Sequence, residues 1–362
     1  ETVGNGIPRI DFLGNTQGAL KLEPQRTNLI TYSEDFSSGW IYDDSTITNN
    51  SAISPDGTQN AGLWIGSTVS SRHNIGAVPT PVASVTGSFS LFVKAKELKY
   101  VQIASANTVN QYVNFDVEDG IIGTVGSSFS NAKIENYGNG WYRCSVVSPN
   151  QYNGLYISLV SGLNSTWLES WVMPNNADGL YIWGAQLEQG SYPTSYIPTQ
   201  GSLVTRLADV CNNGGNEQVI NSTEGVLYFE GSAFSNVNSI GRELTISNGT
   251  NGERLILGFT TLGEAQFAYI TGGDVVANIN KIYNLIDNNK YAIRWKVNDF
   301  SLWINGIKEG EDLSGNVANI NTFNRLDFAS YTGGSSLFNS NVKDLQVYTK
   351  ALSDAELIKL TT

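Results

Sequence analysis

Gly179-Leu-Tyr-Ile-Trp-Gly-Ala-Gln-Leu-Glu-Gln-Gly190 runs straight into Ser191-Tyr-Pro-Thr-Ser-Tyr-Ile-Pro-Thr-Gln-Gly201. The first half alternates. Leu180 and Ile182 fall on one side, and Tyr181, Trp183, Ala185 and Leu187 on the other. Successive side chains of an extended chain project to opposite faces, so this spacing predicts a strand. The second half holds Pro193 and Pro198. Proline fixes φ and lacks a donor, which predicts an extended tail along a sheet edge. A fresh strand pattern starts near Gly225, so the stretch closes one β-domain and hands over to another.

Upstream, alternation recurs in short runs. Phe89, Leu91, Val93 and Ala95 share a face opposite Ser88, Ser90 and Lys94. Val101 and Ile103, then Val113, Phe115 and Val117, then Trp141 to Val147, then Leu155, Ile157 and Leu159 repeat the pattern. Gly, Asn and Ser turns separate them, which predicts a sandwich. Downstream, Tyr291, Ile293, Trp295 and Val297 share a face, and Phe300, Leu302 and Ile304 follow. Asn305-Gly306 predicts a tight hairpin, because both residues tolerate φ > 0. Ser353-Asp-Ala-Glu356 reads as a capping box opening a short helix through Leu360. The fold expected is all-β: two β-sandwich (jelly-roll) domains in tandem, with a short C-terminal helix. The boundaries expected are 1–202, a linker at 203–224, and 225–362.

Bulk properties agree with this division. The 362 residues are 40% hydrophobic and 15% charged, with Gly 37 and Met 1. That length suits two domains of about 150–200 residues. The net charge of −12 repels polyanions, so nucleic acid is excluded as a partner. No apolar run approaches the roughly 20 residues that span a bilayer, so no membrane insertion is expected. Cys144 and Cys211 are too few for a disulfide framework and read as free thiols, which fits folding in a reducing cytoplasm. Glu1 begins mid-pattern, so sequence upstream of it is expected.

Two resemblances add to this reading. The closing stretch, continued through Ser202-Leu-Val-Thr-Arg-Leu-Ala-Asp209, resembles a signature of phage tail and fibre proteins and related appendage proteins. There it ends a jelly roll similar to carbohydrate-binding modules. Leu20 to Phe36, followed by Trp40, resembles the opening of the same module, so the resemblance brackets roughly residues 1 to 210. Ser301-Leu-Trp-Ile-Asn-Gly-Ile-Lys308, Val342-Lys-Asp-Leu-Gln-Val-Tyr348 and Ala351-Leu-Ser-Asp-Ala-Glu-Leu357 look like the C-terminal half of a concanavalin A-like, laminin-G-type domain. The resemblance implies a virion-surface or extracellular protein with glycan and other virion proteins as partners. It also implies a homo-oligomer, often a trimer in such fibres, although no heptads are present to enforce one.

Catalytic signatures are missing from the sequence. His73 is the single histidine, with no nucleophile elbow, metalloprotease helix or phosphate loop. Glycoside hydrolysis needs two carboxylates about 5–10 Å apart. Enzymes of the concanavalin-like fold carry Glu-x-Asp-x-x-Glu on one strand, and this chain does not. Glu309-Gly-Glu-Asp312 reads as a solvated loop after a hairpin, and Asp116-Val-Glu-Asp119 as a strand-end turn. No cofactor is expected; a structural Ca²⁺ held by carbonyls and Asp or Asn stays open but cannot be located.

Sugar recognition uses aromatic faces with short polar groups, and the chain has Trp 8 and Tyr 17. Aromatics also build β-sandwich cores. Trp141, Trp183 and Trp295 alternate in phase with strands and read as packing. Trp167 and Trp171 lie in a polar stretch and read as an exposed platform. Trp64 and the Arg72-His73 pair come next. Trp303 is out of phase with Leu302 and Ile304, so it faces the other side of its sheet. The function expected is a non-catalytic appendage protein recognising cell-surface or environmental glycans. Its competitors are a glycan-degrading depolymerase, a secreted bacterial carbohydrate-binding protein, and a purely structural collar without a sugar ligand.

Overall fold

The computed structural model describes residues 7–13, 16–77, 85–106, 108–148, 154–236, 241–331 and 334–362. The chain divides into two compact units, 25–207 and 2–24 with 208–362. Each is built of antiparallel sheets; the helix Asp354–Thr361 is the single α-helix among the described residues.

In the first unit, one six-stranded sheet runs in the order Ile121–Val125, Tyr112–Asp116, Tyr100–Ser105, Leu155–Leu159, His73–Ala77, Trp40–Asp43. The other runs Ser130–Gly138, Trp141–Ser148, Gly87–Ala95, Gly179–Gln189, Ala61–Gly66, Ser45–Ala52. The in-facing sets meet in one core, where Phe89, Leu91 and Val93 of the second sheet share a cluster with Val101, Ile103, Phe115 and Ile157 of the first. Burying such side chains is worth roughly 1.5–3 kcal/mol each.

The strand Gly179–Gln189 forms, but its phase inverts midway. Leu180, Ile182, Ala185 and Leu187 all enter the main core, while Tyr181 and Trp183 belong to a separate aromatic cluster on the opposite face. The cause is a bulge: the register against Gly87–Ala95 shifts between Trp183 and Gln186, with Gly184 at φ 64°. One extra residue flips every side chain after it. The tail that follows lies across this sheet, not along its edge. Arg143 Nη2 and Gln186 Nε2 donate to the Thr194 carbonyl, Gln186 Oε1 accepts from Ile197 N, and the Glu188 carboxylate accepts from Thr194 N. These polar side chains come from mid-sheet strands and hold the tail's backbone against the sheet.

In the second unit a seven-stranded sheet runs Ile10–Asp11, Ala19–Leu22, Ser340–Tyr348, Glu224–Ala233, Asn289–Lys296, Phe300–Ile304, Ile307–Asp312. It faces a five-stranded sheet, Asp274–Ile282, Glu264–Thr271, Arg254–Phe259, Arg242–Ser247, Arg325–Asp327. Phe229, Phe259, Phe267, Tyr291, Trp295 and Phe300 fill the space between them. Ile304 pairs with Ile307 across Asn305 and Gly306, both at positive φ, and the capping box at Ser353 and Glu356 is present with both bonds made.

Four expectations are corrected here. Residues 10–22 do not belong with the first sandwich: Leu20 to Leu22 pair with Val342 to Ser340, and Arg9 is held by Glu23 and Asp209 within the second unit. The stretch 203–224 is no free linker, since Val204–Arg206 pairs with Arg26–Asn28, Gly214 bridges Leu326, and Ile220 is buried in the second core. Val297 is exposed because the strand ends at Lys296, where Asn298 at φ 55° begins the turn. Glu309 and Glu311 lie on the strand Ile307–Asp312 and pair with Lys281 and Lys308.

Candidate glycan-binding face

The first unit's sheet that ends at Trp40–Asp43 carries two rows on the side away from its core. Pairing register puts Asp43, Asn74, Ser158, Gln102 and Asn114 opposite one another on five successive strands. Gln102, Asn114 and Ser158 each sit between apolar neighbours of their own strands, Gln102 between Val101 and Ile103, so alternation sends them outward. Ile41, Gly76, Tyr156, Ala104 and Tyr112 form the adjacent row.

The chain's own loop closes the far half of the polar row. Asn114 Nδ2 donates to the carbonyls of Leu163 and Ser165 at 3.0 and 2.7 Å. Gln102 Nε2 donates to Asn114 Oδ1 and the Thr166 carbonyl, while its Oε1 accepts from Leu168 N. The two amides therefore stand in for a strand that the loop cannot supply, which satisfies backbone groups that would otherwise be buried unpaired.

The near half is less complete. Asn74 is fully buried, its Nδ2 lies 3.4 Å from Asp43 Oδ2, and its Oδ1 has no hydrogen-bond partner among the described residues. Tyr156 is half-buried and its ring lies against Gly76: a Cβ there would stand 2.4 Å from the tyrosine Cε1. Arg72 precedes Asn74 by two residues, and its guanidinium carbon sits 5.2 Å from the Trp167 ring centroid. Trp167 and Tyr156 pack together on Ala104, Tyr112 and Leu168.

The six candidates are thus distributed unequally. Arg72 and Trp167 are brought together on the outer side. His73 and Trp171 also meet, edge to face at 5.9 Å, but as anchors. The buried imidazole contacts the carbonyls of Asp44 and Trp171, and the Trp171 indole donates to the Leu159 carbonyl. Trp167 likewise donates to the Ser105 carbonyl. The two tryptophans therefore do not form an open platform; their N–H groups fasten a polar loop to strands. Trp64 is fully buried in the main core. Trp303 lies in the second unit, buried with Val226, Ala292 and Leu357, so the C-terminal helix covers the face its phase left open. His73, Trp64 and Trp303 are sealed from any ligand. Asn74, Tyr156 and Asp43 were missed by sequence reasoning; the available signal was one polar residue inside an apolar strand, as in His73-Asn-Ile75.

One acidic cluster elsewhere in this unit is paired. Lys99 reaches Asp119, Asp116 and Glu118, and hydrogen bonding to these carboxylates raises its pKa. Burial pushes the Asp116 carboxyl up, but the Asp119 N–H and Lys99 outweigh it and hold the group below its ordinary range. No group of three or more His, Cys, Asp or Glu placed to hold a metal occurs among the described residues. No helix among them is long and apolar enough to cross a membrane.

No protein-family model and no curated protein matches this sequence. Among solved structures, the chain is similar to the CBM40 of a Ruminococcus gnavus IT-sialidase, with 19% identity over 42% of this chain and 95% of that one and a TM-score of 0.35. A putative carbohydrate binding protein from Bacteroides ovatus is 11% identical, with 92% and 84% covered and a TM-score of 0.28. Domains LG4-5 of the mouse laminin alpha1 chain are 11% identical, with 78% and 89% covered and a TM-score of 0.28. At these scores the likenesses add nothing to what the strands themselves show.

Proposed function

We propose that this chain is a non-catalytic appendage protein of a virus particle that recognises glycans, and that the sugar lies beside Arg72, Tyr156 and Trp167. One observation supports the glycan reading above the others. The exposed Arg72 stacks on Trp167, which packs with the half-buried Tyr156, on a sheet face whose far half is closed by its own loop. Aromatic rings take the apolar face of a pyranose, and amide, carboxylate and guanidinium groups bond its hydroxyls. Asp43 is the carboxylate of this row, and Glu169 is turned onto Ser161. The arrangement is suited to holding a sugar and lacks the paired acids for cleaving one. The virion part rests on the appendage-like stretches around residues 20–40 and 179–209, which also imply other virion proteins as partners and a trimer.

A glycan array probed with the full chain should give saturable binding to at least one sugar. Arg72→Ala and Tyr156→Ala should each weaken it about tenfold, the loss of one stacking or charge-assisted contact. Equal retention by both variants would move the site elsewhere. Absence of the polypeptide from purified virus particles of its host would remove the virion part while leaving the sugar site standing.

A further inference from the structure

Arg72 is exposed, yet the backbone on both sides of it is pinned. Ser71 and Trp171 exchange both bonds of an antiparallel bridge, at 3.2 and 3.0 Å. The His73 ring is buried against the carbonyls of Asp44 and Trp171. Alternation puts residues 72, 74 and 76 on one side of their strand. Asn74 is fully buried, and Tyr156 stands opposite Gly76 and packs with Trp167. The Arg72 side chain therefore runs along the face, past Asn74, to bring its guanidinium carbon 5.2 Å from the Trp167 ring centroid.

What this guanidinium lacks is an anion. The chain has 33 acidic side chains for 21 cationic ones, yet Arg72 makes no ion pair or hydrogen bond among the described residues. Arg9, Arg294 and Arg325, by contrast, each hold a carboxylate. The acids around the stack are turned elsewhere. Glu169, two residues beyond Trp167, accepts from the backbone N–H and the hydroxyl of Ser161 at 2.9–3.0 Å. Asp43, one strand over from Asn74, lies 3.4 Å from that residue's amide nitrogen.

Given a sugar site beside Arg72, Tyr156 and Trp167, on which this rests, we propose that its ligand is an acidic saccharide: a uronic acid whose carboxylate binds the Arg72 guanidinium while its ring lies against the two aromatics. Stacking on the indole uses the flat face of the guanidinium and leaves its N–H edge for a partner. A carboxylate matches that edge with two parallel bonds, which a sugar hydroxyl cannot do. The pinned backbone and the stack hold the guanidinium in place before the ligand arrives, so less freedom is lost on binding. At a net charge of −12 the chain as a whole repels an acidic glycan, so a preference for one has to come from a local cation.

Calorimetric titration of the full chain with a tetramer of galacturonic acid and with its methyl-esterified form tests this, because the two ligands share a sugar backbone and differ in charge. The acid should bind saturably and at least about tenfold more tightly than the ester. Arg72→Gln should erase that preference. Arg72→Lys, which keeps the charge and loses the fork, should retain only part of it. Both variants should keep the parent's unfolding midpoint, since the side chain is exposed. Equal binding of acid and ester, or a preference for the acid that survives Arg72→Gln, would overturn the acidic ligand and leave the sugar site standing. Binding of neither form would overturn it as well, and the glycan array then decides separately whether the site takes any sugar.

Discussion

Two outer sheet faces of this protein carry polar residues in apolar strands, and they resolve them in opposite ways. In the first unit Gln102 and Asn114 make five hydrogen bonds to each other and to the loop 163–168, so the fold consumes the polarity of the far half of the row and leaves Asn74 Oδ1 as its one orphan. In the second unit Glu243, Thr245 and Arg254 each keep a buried polar atom without a partner. A polar side chain on a sheet face is therefore not a functional signal in itself. What distinguishes the two faces is how far the chain returns to satisfy it.

The largest effect that sharpens this contrast comes from a residue belonging to neither face. Trp303→Ala should destabilise the second unit by about 3–5 kcal/mol, because it empties the space beneath the C-terminal helix, and should leave binding of any sugar intact. Urea unfolding and the glycan array read the two halves of that statement. Asn114→Ala should cost about 2–3 kcal/mol in the first unit, since the Ser165 carbonyl loses its donor and a buried amide is removed. Thr245→Val should have the opposite sign and stabilise the second unit by up to about 1 kcal/mol, because it deletes an orphan instead of a partner. Equal destabilisation by both substitutions would erase the distinction between the faces.

The smallest effect is a pH dependence. Burial raises the Glu243 carboxyl above its ordinary value, with Arg254 pulling against it. A raised acid binds its proton more tightly in the folded state than in the unfolded one. Its contribution to stability is therefore present below the unfolded value and is lost as pH rises through the folded value. Glu243→Gln should flatten the fall in unfolding midpoint between about pH 4.5 and neutrality, a change below about 1.4 kcal/mol per pH unit. A midpoint whose pH profile matches the parent's would show that Glu243 is not the group responsible.

Much of the fold was readable because it depends on periodicity. Phe89 to Val93, Val101 and Ile103, and Tyr291 to Trp295 enter the cores their alternation dictates. The Gly184 bulge was not readable: one extra residue in a strand leaves composition and spacing on either side unchanged. Phase placed Trp303 on the far side of its sheet, but only tertiary packing shows that Leu357 lies over it. Of the residues in the proposed site, polarity and aromaticity single out Arg72 and Trp167, whereas Tyr156 comes beside them only through cross-strand register, which no local window contains.

The pairing of Ala19–Leu22 with Ser340–Tyr348 has a consequence for how the chain is made. The ribosome delivers one of these partners more than three hundred residues before the other. The early ribbon must wait, unpaired and apolar at Leu20 and Leu22, while an entire sandwich is synthesised and closes behind it. Long-range closure of this kind slows folding and leaves a sticky edge exposed meanwhile. A gene fragment beginning at Ala208 would inherit the other side of that problem, with Val342 and its neighbours bare and ready to recruit a stray strand.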